Sequence, residues 1–205
     1  FRGEDAAPMK IQGVDDGFMF DCFLAVARHP NALIIAHCEN IELVQRVRTR
    51  LKAEGRDDME AWQASRPVLA EGEGVRRAML FAEATSCRLN VLHLTTAAGL
   101  DEIRAFRTRY PHVFVEVCHS YLTWNGDQPV PLAAKMRPPL RTSADNEALW
   151  RGVADGSVNT IGSDHVPSGA RSIIATCSSP VVVRGNGGIC SLSVRGHITG
   201  GVLSE

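Results

Sequence analysis

The chain has 205 residues, 44% of them hydrophobic, which is ample for a packed core and argues against disorder. A formal net charge of −1 leaves no basic excess for a nucleic-acid or anionic-membrane partner. No apolar run approaches the roughly 20 residues that span a bilayer, and the opening Phe1-Arg-Gly-Glu-Asp is no signal peptide, so a cytoplasmic protein is expected.

The chain then alternates between helical and strand patterns. Phe20, Phe23, Leu24 and Ala27 form a helical stripe between Asp15 and Arg28, with Asp16 placed to cap it and Pro30 beyond its end. Leu33–Ala36 reads as a strand. Ile41, Val44, Val47 and Leu51 recur at helical spacing among Arg46, Arg48, Arg50 and Lys52, the solvated face of an outer helix. Residues 56–74 are acidic and read as a loop containing Trp62 and Ser65-Arg66-Pro67.

A helix is expected over 75–85, a strand over 89–94, and a helix over 97–110 with Leu100, Ile103 and Phe106 on one face and Pro111 ending it. Val113–Cys118 is a β-branched strand. A proline-rich connection over 123–142 leads to a helix capped by Ser143, and Val158–Ser163 is a last strand. Four strands alternating with four or five helices imply a parallel α/β sheet, half of a (β/α) barrel.

Residues 168–205 differ in kind. They hold seven Gly, seven Ser and a single acid, Glu205. The expected organisation is therefore a barrel segment over 1–167 and an aberrant, out-of-context tail over 168–205. Because Phe1 is no initiator methionine, it reads as an interior residue of a longer protein.

Three strand ends carry chemistry. His37 follows Leu33-Ile-Ile-Ala, His93 follows Asn90-Val-Leu, and Asp164 follows Asn159-Thr-Ile-Gly-Ser. The C-terminal ends of parallel strands are where a βα barrel keeps its active site, and two imidazoles with a carboxylate suit zinc. A metal polarises an amide carbonyl and activates hydroxide, while Asp164 can carry a proton to the leaving nitrogen. Cys38 adjoins the first position and reads as small buried filler. The six cysteines are scattered without a CxxC pair, as suits a reducing compartment. His165 faces away from Asp164 on the pleat, a position for contacting substrate.

Several stretches together resemble the cyclic amidohydrolases, the family of hydantoinase/dihydropyrimidinase, allantoinase and dihydroorotase. They are AHCEN (36–40), SRP (65–67), LNVLHLTTAAGLDEI (89–103), EVCHSYL (116–122), KMRPPLRTSADNEALWRGVADG (135–156) and TIGSDHVP (160–167). The resemblance implies a TIM-like (β/α) barrel of which this chain holds strands 5–8. In it His37, His93 and Asp164 are metal ligands at the ends of strands 5, 6 and 8, and Asp164 also shuttles the proton. It implies a two-zinc site bridged by a carboxylated lysine, the opening of a hydantoin- or dihydropyrimidine-like cyclic amide, and a homo-oligomeric parent. Arg137 stands where relatives contact substrate. Allantoinase or dihydroorotase is the alternative activity, and a non-catalytic scaffold the alternative class. No His-x-His pair occurs, and Lys10 is not placed to be the bridging lysine. The chain by itself is accordingly expected to be inactive on cyclic amides and to fold poorly.

Overall fold

A computed structural model describes residues 14–130 and 134–164, together with the backbone of 181–182. Within it β1 (Ile34–Ala36), β2 (Leu89–Val91), β3 (Val113–Cys118) and β4 (Thr160–Gly162) lie side by side in chain order, all parallel. Helices join them: α1 (Asp16–Ala27) before β1, α2 (Ile41–Ala53), α3 (Met59–Ala64) and α4 (Val68–Thr85) before β2, and α5 (Ala97–Arg107) before β3. The short α6 (His119–Thr123) and α7 (Ser143–Asp155) precede β4, and a two-residue β5 (Val181–Val182) pairs antiparallel with it. Sequential parallel order is what repeated right-handed βα units produce, so the α/β expectation holds.

The core lies between the sheet and its helices. Leu89, Val91, Val115 and Val117 from the strands meet Ala78, Met79, Leu100, Ile103 and Leu149 from the helices, all fully buried or nearly so. Leu100 and Ile103 are the residues whose helical spacing placed them on one face. Arg107 of α5 further ties the starts of β3 and β4 together, donating to the Val113 carbonyl (2.8 Å), the Ser157 carbonyl (2.6 Å) and Asn159 Oδ1 (2.6 Å).

Three local expectations are corrected. Residues 59–64 and 68–85 are helical, where a loop was expected over 56–74. Asp58 accepts from the Ala61 amide to start α3, and Pro67, with its preset φ, leads into α4. The cap of α1 is Asp15, not Asp16, its Oδ1 accepting from Phe18 N at 2.8 Å. The cap of α7 is Thr142, not Ser143, in a reciprocal capping box with Asp145. In each case the acceptor that reaches the amide three residues on becomes the cap.

Candidate metal centre at the strand ends

Neighbouring parallel strands bring their C-terminal ends to one level, and there β1 and β2 place His37 and His93 together. Nδ1 of His37 lies 2.9 Å from Nε2 of His93, and the rings meet edge to face with centroids 4.8 Å apart. His93 is buried and takes φ 38°, in the left-handed region that a non-glycine residue enters at a cost of about 1–3 kcal/mol. Asp164, two residues past β4, does the same at φ 46°. Backbone strain of this kind clusters at functional positions.

Burial is the main influence on His93, and the neighbouring His37 adds to it, so that its pKa falls to about 3. The ring is therefore neutral across the physiological range, the form in which imidazole binds a metal. Burial instead pushes Asp164 above the usual carboxylate range, partly offset by the charge of His37. Cys38 is buried, and its thiol is pushed up to about 12 by burial and by the Glu71 charge, which agrees with a packing role.

The pair fits part of a zinc shell. Two nitrogens on one zinc at Zn–N of about 2.0–2.1 Å stand roughly 3.3 Å apart in a tetrahedron, and the observed 2.9 Å needs only a small ring rotation to open to that. Among the described residues, no three His, Cys, Asp or Glu side chains come together as a metal-holding group. Asp164 is near enough to feel the charge of His37 without joining the pair. Arg137 sets its guanidinium 5.4 Å from the Trp62 ring centre, the ring on which Arg66 also lies. His165 lies outside the described residues.

Two residues that sequence reasoning gave no role lie under the pair. Glu39, with a side chain 4% exposed, sets Oε2 at 3.6 Å from His37 Nε2 and Oε1 at 3.7 Å from Arg66 Nε. Burial works against its charge, but His37 and Arg66 together hold its carboxyl below the usual range. Gly74 of α4 makes this packing feasible, since a Cβ there would stand 2.7 Å from the Cys38 carbonyl carbon and the Glu39 nitrogen. The His-x-Glu spacing of 37–39 was the available signal. A groove beside β1, lined by Phe18, Met19, Cys22, Ile35, His37 and Glu39, opens onto this face.

No family model matches the chain. It is 33% identical over 162 residues to an L-hydantoinase of Paenarthrobacter aurescens, covering 78% of this chain and 35% of that protein. It is 33% identical over 161 residues to an allantoinase of Deinococcus radiodurans, covering 78% of this chain and 36% of that one. The solved L-hydantoinase (dihydropyrimidinase) from Arthrobacter aurescens superposes with a TM-score of 0.70 at 32% identity, over 77% of this chain and 35% of its own. A dihydropyrimidinase from Brevibacillus agri gives 0.71 at 28%, over 79% and 36%. The chain thus spans about a third of the length of the relatives it matches.

Proposed function

From the premise that the matched part of this chain belongs with the cyclic amidohydrolases, we propose that it carries part of the active site of a metal-dependent hydrolase. The substrate is a small cyclic amide, whose –CO–NH– bond opens to an N-carbamoyl or ureido acid. The observation that carries this reading is the convergence of His37 Nδ1 and His93 Nε2 at neighbouring strand ends.

In this reading β1–β4 are strands 5–8 of a barrel whose segment runs over 1–167, apart from the tail at 168–205. Among the described residues the outer edge of β1, where Ile35 is 53% exposed, has no partner, and a further strand would pair there. His37 and His93 would hold the metal, and zinc suits two neutral imidazoles with a carboxylate. A divalent ion held there supplies Lewis acidity toward the amide carbonyl and acidifies water.

Asp164 holds a proton on its carboxylate and delivers it to the departing ring nitrogen. Its partial burial favours the protonated form needed for that delivery. Arg137 and His165 contact the substrate. Among the described residues no third donor joins the pair, and the chain by itself is expected to turn over no cyclic amide. Hydantoin- and dihydropyrimidine-like rings are the first reading. Allantoin is the second, because an allantoinase matches at the same 33% identity as an L-hydantoinase.

The test is a titration of the purified chain with Co(II), followed by visible absorption, with His37→Ala and His93→Ala beside it. Binding by the parent that is lost in both variants supports the reading. Binding that survives both substitutions, or no binding by the folded parent, overturns it. Addition of hydantoin, dihydrouracil and allantoin to the cobalt-loaded chain then ranks the ring classes by their spectral perturbation.

A further inference from the structure

We propose that Glu39 and Arg66 are positioning residues for His37. The Glu39 carboxylate takes the Nε2–H of His37 and so turns its Nδ1 toward His93, while Arg66, laid against Trp62, holds that carboxylate in place. This rests on the metal reading above only for its consequence, not for its geometry.

The two ring nitrogens of His37 face different partners. Nδ1 of His37 faces His93 Nε2 at 2.9 Å, and Nε2 faces Glu39 Oε2 at 3.6 Å. An imidazole that presents a lone pair through one nitrogen carries its proton on the other, and the group facing that proton selects the tautomer. Only an acceptor can stand at Nε2 if Nδ1 is to bind a cation, and a carboxylate is the strongest acceptor a side chain offers. Without it the ring can exchange tautomers and rotate about χ2, a terminal torsion with a broad energy profile.

A buried carboxylate needs a counter-charge, and the fold supplies one. Arg66 is fully buried, and its Nε lies 3.7 Å from Glu39 Oε1. Its guanidinium carbon sits 4.3 Å from the Trp62 ring centre, and the indole itself is fixed by donation from Nε1 to the Met136 carbonyl at 3.1 Å. The main chain at Arg66 is held as well, since its carbonyl accepts from Arg141 Nη1 at 2.5 Å. Arg141 in turn donates to Thr95 Oγ1 at 3.0 Å, and Thr95 is bound to Glu71 through both its amide (2.7 Å) and its hydroxyl (2.5 Å).

One buried network therefore runs from Trp62 through Arg66 and Glu39 to His37, and a branch through Arg141 reaches Thr95, two residues beyond His93. The same arginine pair thus faces the carboxylate beside His37 and holds the Thr95 hydroxyl in the turn that follows His93. The Ser65-Arg66-Pro67 turn, to which the proposed chemistry gives no role, acquires one here. A planar, forked guanidinium can stack on indole and face a carboxylate at once, which a lysine cannot do.

The experiment measures the ring nitrogens of the metal-free, 15N-labelled chain by long-range proton–nitrogen correlation at about pH 8, above the ordinary imidazole range. The proposal expects His37 as the Nε2–H tautomer and, in Glu39→Gln, a mixture of tautomers. Co(II) affinity should fall about 10–100-fold in Glu39→Gln, the usual effect of removing an outer-shell partner, with circular dichroism unchanged and partial recovery in Glu39→Asp. An Nδ1–H tautomer in the parent, or unchanged cobalt affinity in folded Glu39→Gln, overturns the proposal. If Glu39→Gln fails to fold, the tautomer of the parent decides by itself. An Nε2–H tautomer in a parent that binds no cobalt upholds the positioning role and overturns the metal reading instead.

Discussion

β1 and β2 each deliver a histidine to the same site, yet their surroundings differ sharply. β2 has strands on both sides, and Leu89 and Val91 are wholly buried. Among the described residues β1 has one neighbour, and its central residue Ile35 is 53% exposed, beside Phe18 at 59% and Val14 at 41%. Ile34-Ile-Ala is no less apolar than Leu89-Asn-Val. An apolar run records the environment a strand is built for, and β1 is built for cover on both faces. The two histidines thus stand on unequal foundations, one rooted in the core and one on an open edge.

The largest effect that sharpens this contrast is a truncation in each strand. Leu89→Ala should cost about 2–5 kcal/mol of stability by urea denaturation, whereas Ile35→Ala should stay within about 0.5 kcal/mol. Equal losses would break the comparison. Arg107→Ala removes three charge-assisted hydrogen bonds that tie α5 to the starts of β3 and β4. It should cost about 2–3 kcal/mol, and a neutral result would mean that the interior does not depend on that clamp.

Thr142→Ala removes one half of the capping box of α7 and should cost about 1 kcal/mol. The smallest effect concerns Asp155 at the far end of that helix. Burial works weakly against its charge, but Ser157 and Arg104 hold its carboxyl below the usual range. A lowered folded value means stability present above about pH 4, the ordinary carboxylate value, and lost as pH falls through the folded pKa. Asp155→Asn should flatten that acid limb of the urea midpoint, lying slightly below the parent near neutrality and converging with it at acid pH.

Much of the scaffold was legible because local rules and tertiary structure agree in it. Leu100, Ile103 and Phe106 share a helical face and are all buried, and Val113–Cys118 is a strand at the bounds its β-branched residues set. The start of α4 was missed because the acidic stretch 56–74 read as a loop. Gly74 serves instead to let the helix approach the backbone at Cys38 and Glu39. Strand-end position pointed to His37 and His93, which the fold brings to 2.9 Å of each other. It was not enough to find Glu39 with Arg66, because a buried ion pair between residues so far apart in sequence leaves no periodic trace. The long connection after Thr123 hid a related fact, that Arg141 reaches back to Arg66 and Thr95.

The central claim is that His37 Nδ1 and His93 Nε2 are the atoms that take a metal. Zinc K-edge X-ray absorption on the zinc-loaded chain tests it most directly. The account expects nitrogen scatterers at about 2.0–2.1 Å with the outer-shell pattern of two imidazoles, reduced to one in His93→Ala. A sulfur shell at about 2.3 Å, or an oxygen-only shell indifferent to that substitution, would contradict it.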